Sequence, residues 1–152
     1  MTNEARWLDE GEQIAWRHYL RASRALSLAL DRELLDHGMS LAEYEILSML
    51  SEADGRRLRM GALADLVVQS RSRITHTATR LQRRGWVERE SCSSDSRGVE
   101  LVLTDGGYEA LLQAAPVHVE SVRRHFVDTM PREQLQVVGD GMRRVHEEMG
   151  GR

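Results

Sequence analysis

Lysine does not occur in this 152-residue sequence, and cysteine, proline and aromatic residues are scarce. Each scarcity excludes something. The single cysteine, Cys92, can build neither a disulfide framework nor a multi-cysteine metal site. Two prolines and 5% aromatics, beside abundant leucine, alanine and arginine, point to mostly helix. No apolar run approaches the roughly 18 residues of a membrane span, so no membrane association is expected. The stretch Met1 to Glu12 is polar and acidic and does not read as a secretory signal, which points to a cytoplasmic protein. Gly61, Gly106 and Gly107 fit no phosphate-binding loop. The six histidines are scattered; His118 and His125 fall two helical turns apart, about 10 Å, too far to share an ion unaided. No catalytic set can be argued from spacing. Neither a metal, a cofactor nor an enzymatic activity is expected.

What is present is a segregated charge. The formal net charge is −3, and all 21 basic residues are arginine. Between Arg56 and Arg97 lie ten arginines and four acidic residues (Asp65, Glu88, Glu90 and Asp95), a surplus of six positive charges. The rest of the chain carries eleven arginines against twenty acids. A basic block inside an acidic chain is the electrostatic footprint of a polyanion-binding face. The bland alternative is a solvated surface laced with salt bridges.

The helical period places the elements. Ile14, Leu20, Leu26, Leu28, Leu30, Leu34 and Leu35 predict one long helix from about Asp9 to His37, closed by His37-Gly38. Its apolar groups spread beyond one stripe, more surface than a monomer of this size easily covers. Ser40-x-x-Glu43 is a capping box for a second helix with Tyr44, Leu47 and Leu50 on one face. Arg57 to Arg59 reads as a very short strand. Met60, Leu63, Ala64 and Val67 predict a short helix, Gln69-Ser70 a tight turn with Ser70 as N-cap, and Arg71 to Arg84 a helix ended by Gly85. Two helices so joined form a helix-turn-helix. The period then becomes two: Trp86–Glu90 and Val99–Leu103 predict a hairpin across the polar loop Ser91–Gly98, which is a wing. Thr104-Asp105 opens a long helix to about Asp128 with Pro116 inside it, where it should bend the axis. Pro131 suits the first turn of a last helix ending near Glu148.

The basic helix has two faces. With Ile74 at 0°, Ala78 and Leu81 fall within about 40°, while Ser72, His76, Thr79 and Arg83 fall between about 140° and 200°. Arg73 and Arg80 flank that outer face on one side and Thr75 on the other. The face carries no carboxylate, and its donors suit base edges and phosphates in a major groove. The amides of Arg71 to Arg73 add a phosphate site at the helix start. Arg97 near the wing tip suits a narrow minor groove. Asp95 is expected to pair with a neighbouring arginine and support the wing, or to stand idle and exposed.

Three segments carry a resemblance. Asp95-Ser-Arg97-Gly-Val-Glu-Leu-Val-Leu103-Thr104 resembles the wing signature D-x-R-x-x-x-x-x-L-T of the MarR family of bacterial transcription regulators. Gly61-Ala62-Leu63-Ala64 is similar to its E-L-A segment, with Ala62 where an acid is common. Leu81-Gln-Arg-Arg-Gly85-Trp86-Val87-Glu88-Arg89 resembles L-E-x-x-G-L-V-x-R. The detailed similarity spans about Leu41 to Thr104.

The resemblance implies a mainly α, winged helix-turn-helix homodimer with a two- or three-stranded wing sheet. Residues 1–38 and 105–152 would be dimerisation helices and 39–104 the DNA-binding lobe, in one intertwined unit. Such a dimer would read an inverted repeat in double-stranded DNA, with half-sites one turn, about 10 bp, apart. The function implied is a sequence-specific, nucleoid-associated repressor of a nearby promoter, relieved by a small-molecule effector. Arg71, Ser72, Arg73, Thr75, His76, Thr79, Arg80, Arg83 and Arg97 would contact DNA. Relatives bind small anionic aromatic or lipophilic compounds between dimer helices and DNA lobe; Trp16, Tyr19 and Tyr44 would line that pocket here, or serve as core and interface. Cysteine-based oxidant sensing in relatives uses a residue near the first helix, where this chain has none, so Cys92 reads as a small loop residue. A rival reading is a winged-helix protein-interaction module without DNA sequence preference. A third is a regulator that has lost ligand control.

Overall fold

Asp9 starts the first helix because cap and helix satisfy each other. Its carboxylate accepts from the Glu12 amide at 2.8 Å, and Glu12 Oε2 accepts from the Asp9 amide at 2.9 Å. In the computed structural model, which describes residues 5–92 and 98–150, α1 spans Glu10–Leu35. It stops two residues short of the expected His37. The amides of His37 and Met39 both return to the Leu34 carbonyl, which turns the chain through Gly38. α2 (Leu41–Glu52) opens on the Ser40–Glu43 box as expected. β1 (Arg57–Arg59), α3 (Met60–Leu66) and α4 (Arg71–Arg83) follow, and Gly85 at φ 72° ends α4.

β2 (Val87–Ser91) and β3 (Val99–Leu103) pair antiparallel, with Val87 opposite Leu103 and Ser91 opposite Val99. β1 adds to the other edge of β3, so the sheet has three strands in the order β1-β3-β2. Thr104 caps α5 (Asp105–His125), which runs without interruption past Pro116. A short turn at Val127–Thr129 then ends the element before the expected Asp128 boundary. Pro131 is the N-cap of α6 (Arg132–Glu148), one position earlier than expected.

The core explains why the lobe is rigid. Ile46, Leu47 and Leu50 of α2 are fully buried at its centre. Leu63 of α3, Ile74 and Leu81 of α4, Val87 of β2, Leu101 of β3 and Leu34 of α1 close around them. α2, α3, α4, β2 and β3 thus each contribute a fully buried side chain, worth about 1.5–3 kcal/mol each relative to exposure. The outer helices differ. α6 buries no residue, and Val137, Met142, Val145 and Met149 are exposed along it. α1 leaves Ile14, Trp16, Tyr19, Leu28 and Leu35 exposed. Among the described residues, no helix is long and apolar enough to cross a membrane.

Two non-glycine backbone positions among the described residues have a positive φ, Arg56 at 53° and the β-branched Val68. Val68, in the turn between α3 and α4, has φ 51°, a conformation costly for a β-branched residue. Its side chain is exposed, so little packing opposes a change. Val68→Gly should therefore stabilise the chain by about 1 kcal/mol, after the entropic cost of glycine in the unfolded state. Urea denaturation checks this; a lower midpoint would show that the turn draws on the valine side chain.

Candidate nucleic-acid interface

The inner face of α4 is fastened by burial of Ile74, Thr77, Ala78 and Leu81. Its start is capped by Ser70 Oγ, which accepts from the Arg73 amide at 3.4 Å. The outer face is consequently held in a fixed orientation. Ser72, Thr75, His76, Thr79, Arg80 and Arg83 line one shallow depression of about 510 Å³, as the helical period predicts. Arg71 and Arg73 are exposed at the helix start, where no acidic residue occupies the first turn. Asp95 and Arg97 lie outside the described residues.

The donors on this face are not equivalent. Thr75 Oγ1 donates to the Arg71 carbonyl at 2.8 Å and Thr79 Oγ1 to the Thr75 carbonyl at 2.9 Å. Both hydroxyl protons are therefore committed within the helix, which leaves lone pairs and methyl groups for a partner. His76 makes no hydrogen bond among the described residues and keeps its ring edge open.

Arg89 was missed by the sequence reading of this site. On β2 it shares the face of Val87, and its guanidinium reaches α4. It donates to Gln82 Oε1 at 2.9 Å, the Thr75 carbonyl at 3.1 Å and Thr79 Oγ1 at 3.0 Å. It thereby ties the wing to the recognition helix. The available signal was the alternation in Val87-Glu88-Arg89, which turns Arg89 towards the helices and the two glutamates of the strand away.

Carboxylates divide the arginines into two sets. Glu43 is buried and receives Arg84 at 3.3 Å and Arg80 at 3.6 Å, while Arg80 also donates to Ser40 Oγ. The Arg84 guanidinium lies 3.5 Å from the Trp86 ring centroid. Arg57 bridges Glu90 and Glu100, two acids placed directly opposite across the ladder. Arg71, Arg83 and Arg89, by contrast, have no ion-pair partner among the described residues. The field of α4 is thus carried by residues other than Arg80, whose charge is engaged by Glu43.

Within one chain the three expected pocket residues do not share a wall. Tyr44 lines a cavity at the junction of α1, α2 and α5, and its ring stacks on His118 with centroids 4.2 Å apart. Trp16 and Tyr19 stack on each other on the exposed side of α1, 5.7 Å between centroids. Trp16 is 14 residues before Leu30, the α1 residue at the cavity, which is about 21 Å of helix. Cys92 is buried at the base of the wing, with Arg59 Nη2 donating to its sulfur at 3.1 Å. Among the described residues, no group of three or more histidine, cysteine or acidic side chains is placed to hold a metal.

Comparison with known proteins sets this geometry among relatives. A family model described as the MarR family matches residues 37–98. The chain is similar to AbsC, a MarR family transcriptional regulator from Streptomyces coelicolor. The two share 42% identity and a TM-score of 0.90, over 97% of this chain and 100% of that one. It is also similar to Sco3205, a MarR family regulator from the same organism solved in complex with DNA. Here the identity is 44% and the TM-score 0.91, over 97% and 92% of the two chains. YkoM of Bacillus subtilis, an uncharacterised HTH-type transcriptional regulator, is 29% identical over 81% of this chain and 79% of its own length.

Proposed function

This chain belongs to the MarR family of transcriptional regulators, and from that premise we propose that it acts as a dimeric, sequence-specific repressor of a nearby promoter, released by a small-molecule effector. The observation that carries this reading is the outer face of α4. It is rigidly held, free of carboxylates, and edged by Arg71, Arg83 and Arg89 without counter-ions. Arg71, Ser72 and Arg73 set register on phosphates, Thr75, His76 and Thr79 face base edges, and Arg83 flanks them. Arg80 acts at the edge of the groove from its anchor on Glu43. Arg97, supported by Asp95, extends the wing into the adjacent minor groove.

The unburied apolar faces of α1 and α6 support a second copy as their cover. In that arrangement residues 1–38 and 105–152 form the shared body, and 39–104 the DNA lobe. Occupancy of an inverted repeat within a promoter would exclude polymerase, which is why repression is the expected direction. The site of action is the cytoplasmic nucleoid.

Titration against fragments of the source genome, with excess non-specific duplex as competitor, tests the function. Selected fragments should bind about a thousandfold or more tighter than competitor at physiological salt. Equal affinity for all duplexes would leave only an interaction module. Arg89→Ala should weaken operator binding about tenfold and reduce the slope of log affinity against log salt by about 0.9 per subunit. An unchanged slope would confine Arg89 to a purely structural tie between wing and helix.

A further inference from the structure

Hydrogen bonds engage the side chains on the outer face of α4 unequally, and Thr79 is engaged most. Its Oγ1 donates to the Thr75 carbonyl at 2.9 Å, so the hydroxyl proton is committed. The same oxygen accepts from Arg89 Nη2 at 3.0 Å, so a lone pair is committed as well. That guanidinium is itself fixed, by its bonds to the Thr75 carbonyl at 3.1 Å and to Gln82 Oε1 at 2.9 Å. Thr75, one turn earlier, differs. Its hydroxyl donates to the Arg71 carbonyl at 2.8 Å, but among the described residues nothing donates to its oxygen.

What remains on Thr79 decides what it can recognise. Without a free proton it offers nothing to the major-groove acceptors, which are guanine O6 and N7, adenine N7 and thymine O4. The amino groups of adenine and cytosine are donors. They would approach an oxygen already occupied by a guanidinium, whose positive charge repels their protons. The one unengaged group of the side chain is its methyl. Thr79 is half-buried in the wall of the depression that it shares with Ser72, Thr75, His76, Arg80 and Arg83. The major groove presents one apolar group, the C5-methyl of thymine.

We infer that Thr79 is a specificity-determining residue that selects thymine by contact between the two methyl groups, while Arg89 withdraws its hydroxyl from readout. The inference rests on the DNA-binding function proposed above and names the base that one residue of that site takes. Burial of a single methyl group corresponds to about fourfold in affinity per half-site, and about fifteenfold over two half-sites.

Deoxyuridine lacks only that methyl and keeps the hydrogen-bonding edge of thymine. An operator selected from the source genome is therefore rebuilt with each symmetry-related pair of thymines replaced in turn. Affinity is read by fluorescence anisotropy with the whole protein. At one pair the replacement should weaken the wild-type protein about fifteenfold. Thr79→Ser keeps the hydroxyl and deletes the methyl; it should bind the thymine operator about fifteenfold more weakly and lose the preference for thymine over uracil at that pair. Thr79→Val keeps a methyl and deletes the hydroxyl, and it should retain the preference. A preference that survives Thr79→Ser or vanishes with Thr79→Val would overturn the inference, as would a wild-type protein indifferent to uracil at every thymine. Selective binding of the operator without any uracil effect defeats this inference alone. Equal affinity for all duplexes defeats the proposed function and this inference together.

Discussion

Gly107→Ala is expected to lower the unfolding free energy by about 3–4 kcal/mol, the upper end of overpacking costs. A Cβ at position 107 would sit 2.1 Å from the Trp86 carbonyl oxygen, 2.9 Å from its carbon and 2.8 Å from Leu103 Cδ1. Two of those atoms are backbone and cannot rotate away. The carbonyl is also held from another side, because it accepts from the Thr104 amide at 3.1 Å. The first turn of α5 is therefore packed directly on the backbone of Trp86, the residue that leads into β2. Alanine there must separate α5 from the lobe or fail to fit. Gly106→Ala is the control: its Cβ meets only Thr104 Oγ1 at 3.9 Å and the Gly85 carbonyl at 4.0 Å. That change should be neutral or stabilising by about 0.5 kcal/mol. Urea unfolding followed by circular dichroism distinguishes the two, and equal midpoints for both variants would contradict the packing account.

Glu43→Ala should cost about 2 kcal/mol and also blur DNA discrimination. The Glu43 side chain does three things at once. It accepts from the Ser40 amide at 2.9 Å as half of the α2 capping box, and it receives Arg80 and Arg84 from the last turns of the recognition helix. Loss of the cap contributes about 1 kcal/mol. Loss of the charged bonds adds a similar amount, limited because both arginine side chains are roughly 40% exposed and water recovers them. The freed arginines make the lobe more positive, so non-specific duplex binding should rise while the specific-to-non-specific ratio falls. Glu43→Gln keeps the cap and should lie between the two in stability. Identical melting of the glutamine and alanine variants would remove the capping half of this account.

The parts of the fold that were legible in the sequence are those set by local rules. The Ser40–Glu43 box, the Ser70 cap, the Gly85 stop and the two faces of α4 all depend on residues within four positions of one another. The features that were not legible depend on pairing across the chain. Arg89 could be placed on a strand, but its reach to Thr75, Thr79 and Gln82 follows from how β2 lies against α4. Arg80 looked like a free flanking cation on a helical wheel, and its anchor, Glu43, is 37 residues away and was read as a cap alone. Gly107 fitted no motif because its role is the absence of an atom beside Trp86, 21 residues earlier. Trp16, Tyr19 and Tyr44 read either as one aromatic pocket or as core and interface, and within one chain the length of α1 separates the first two from the third. The boundary shifts at α1, β2 and α5 arise where turn bonds, such as His37 and Met39 to Leu34, outcompete continuation of the helix or strand.

Hydroxyl-radical cleavage of a selected operator with bound protein tests the central claim most directly. The account predicts two protected windows on one face of the duplex, about 10 bp apart and related by a two-fold axis, at a stoichiometry of two chains per site. Uniform cleavage along the fragment, or a single window filled by one chain, would contradict it.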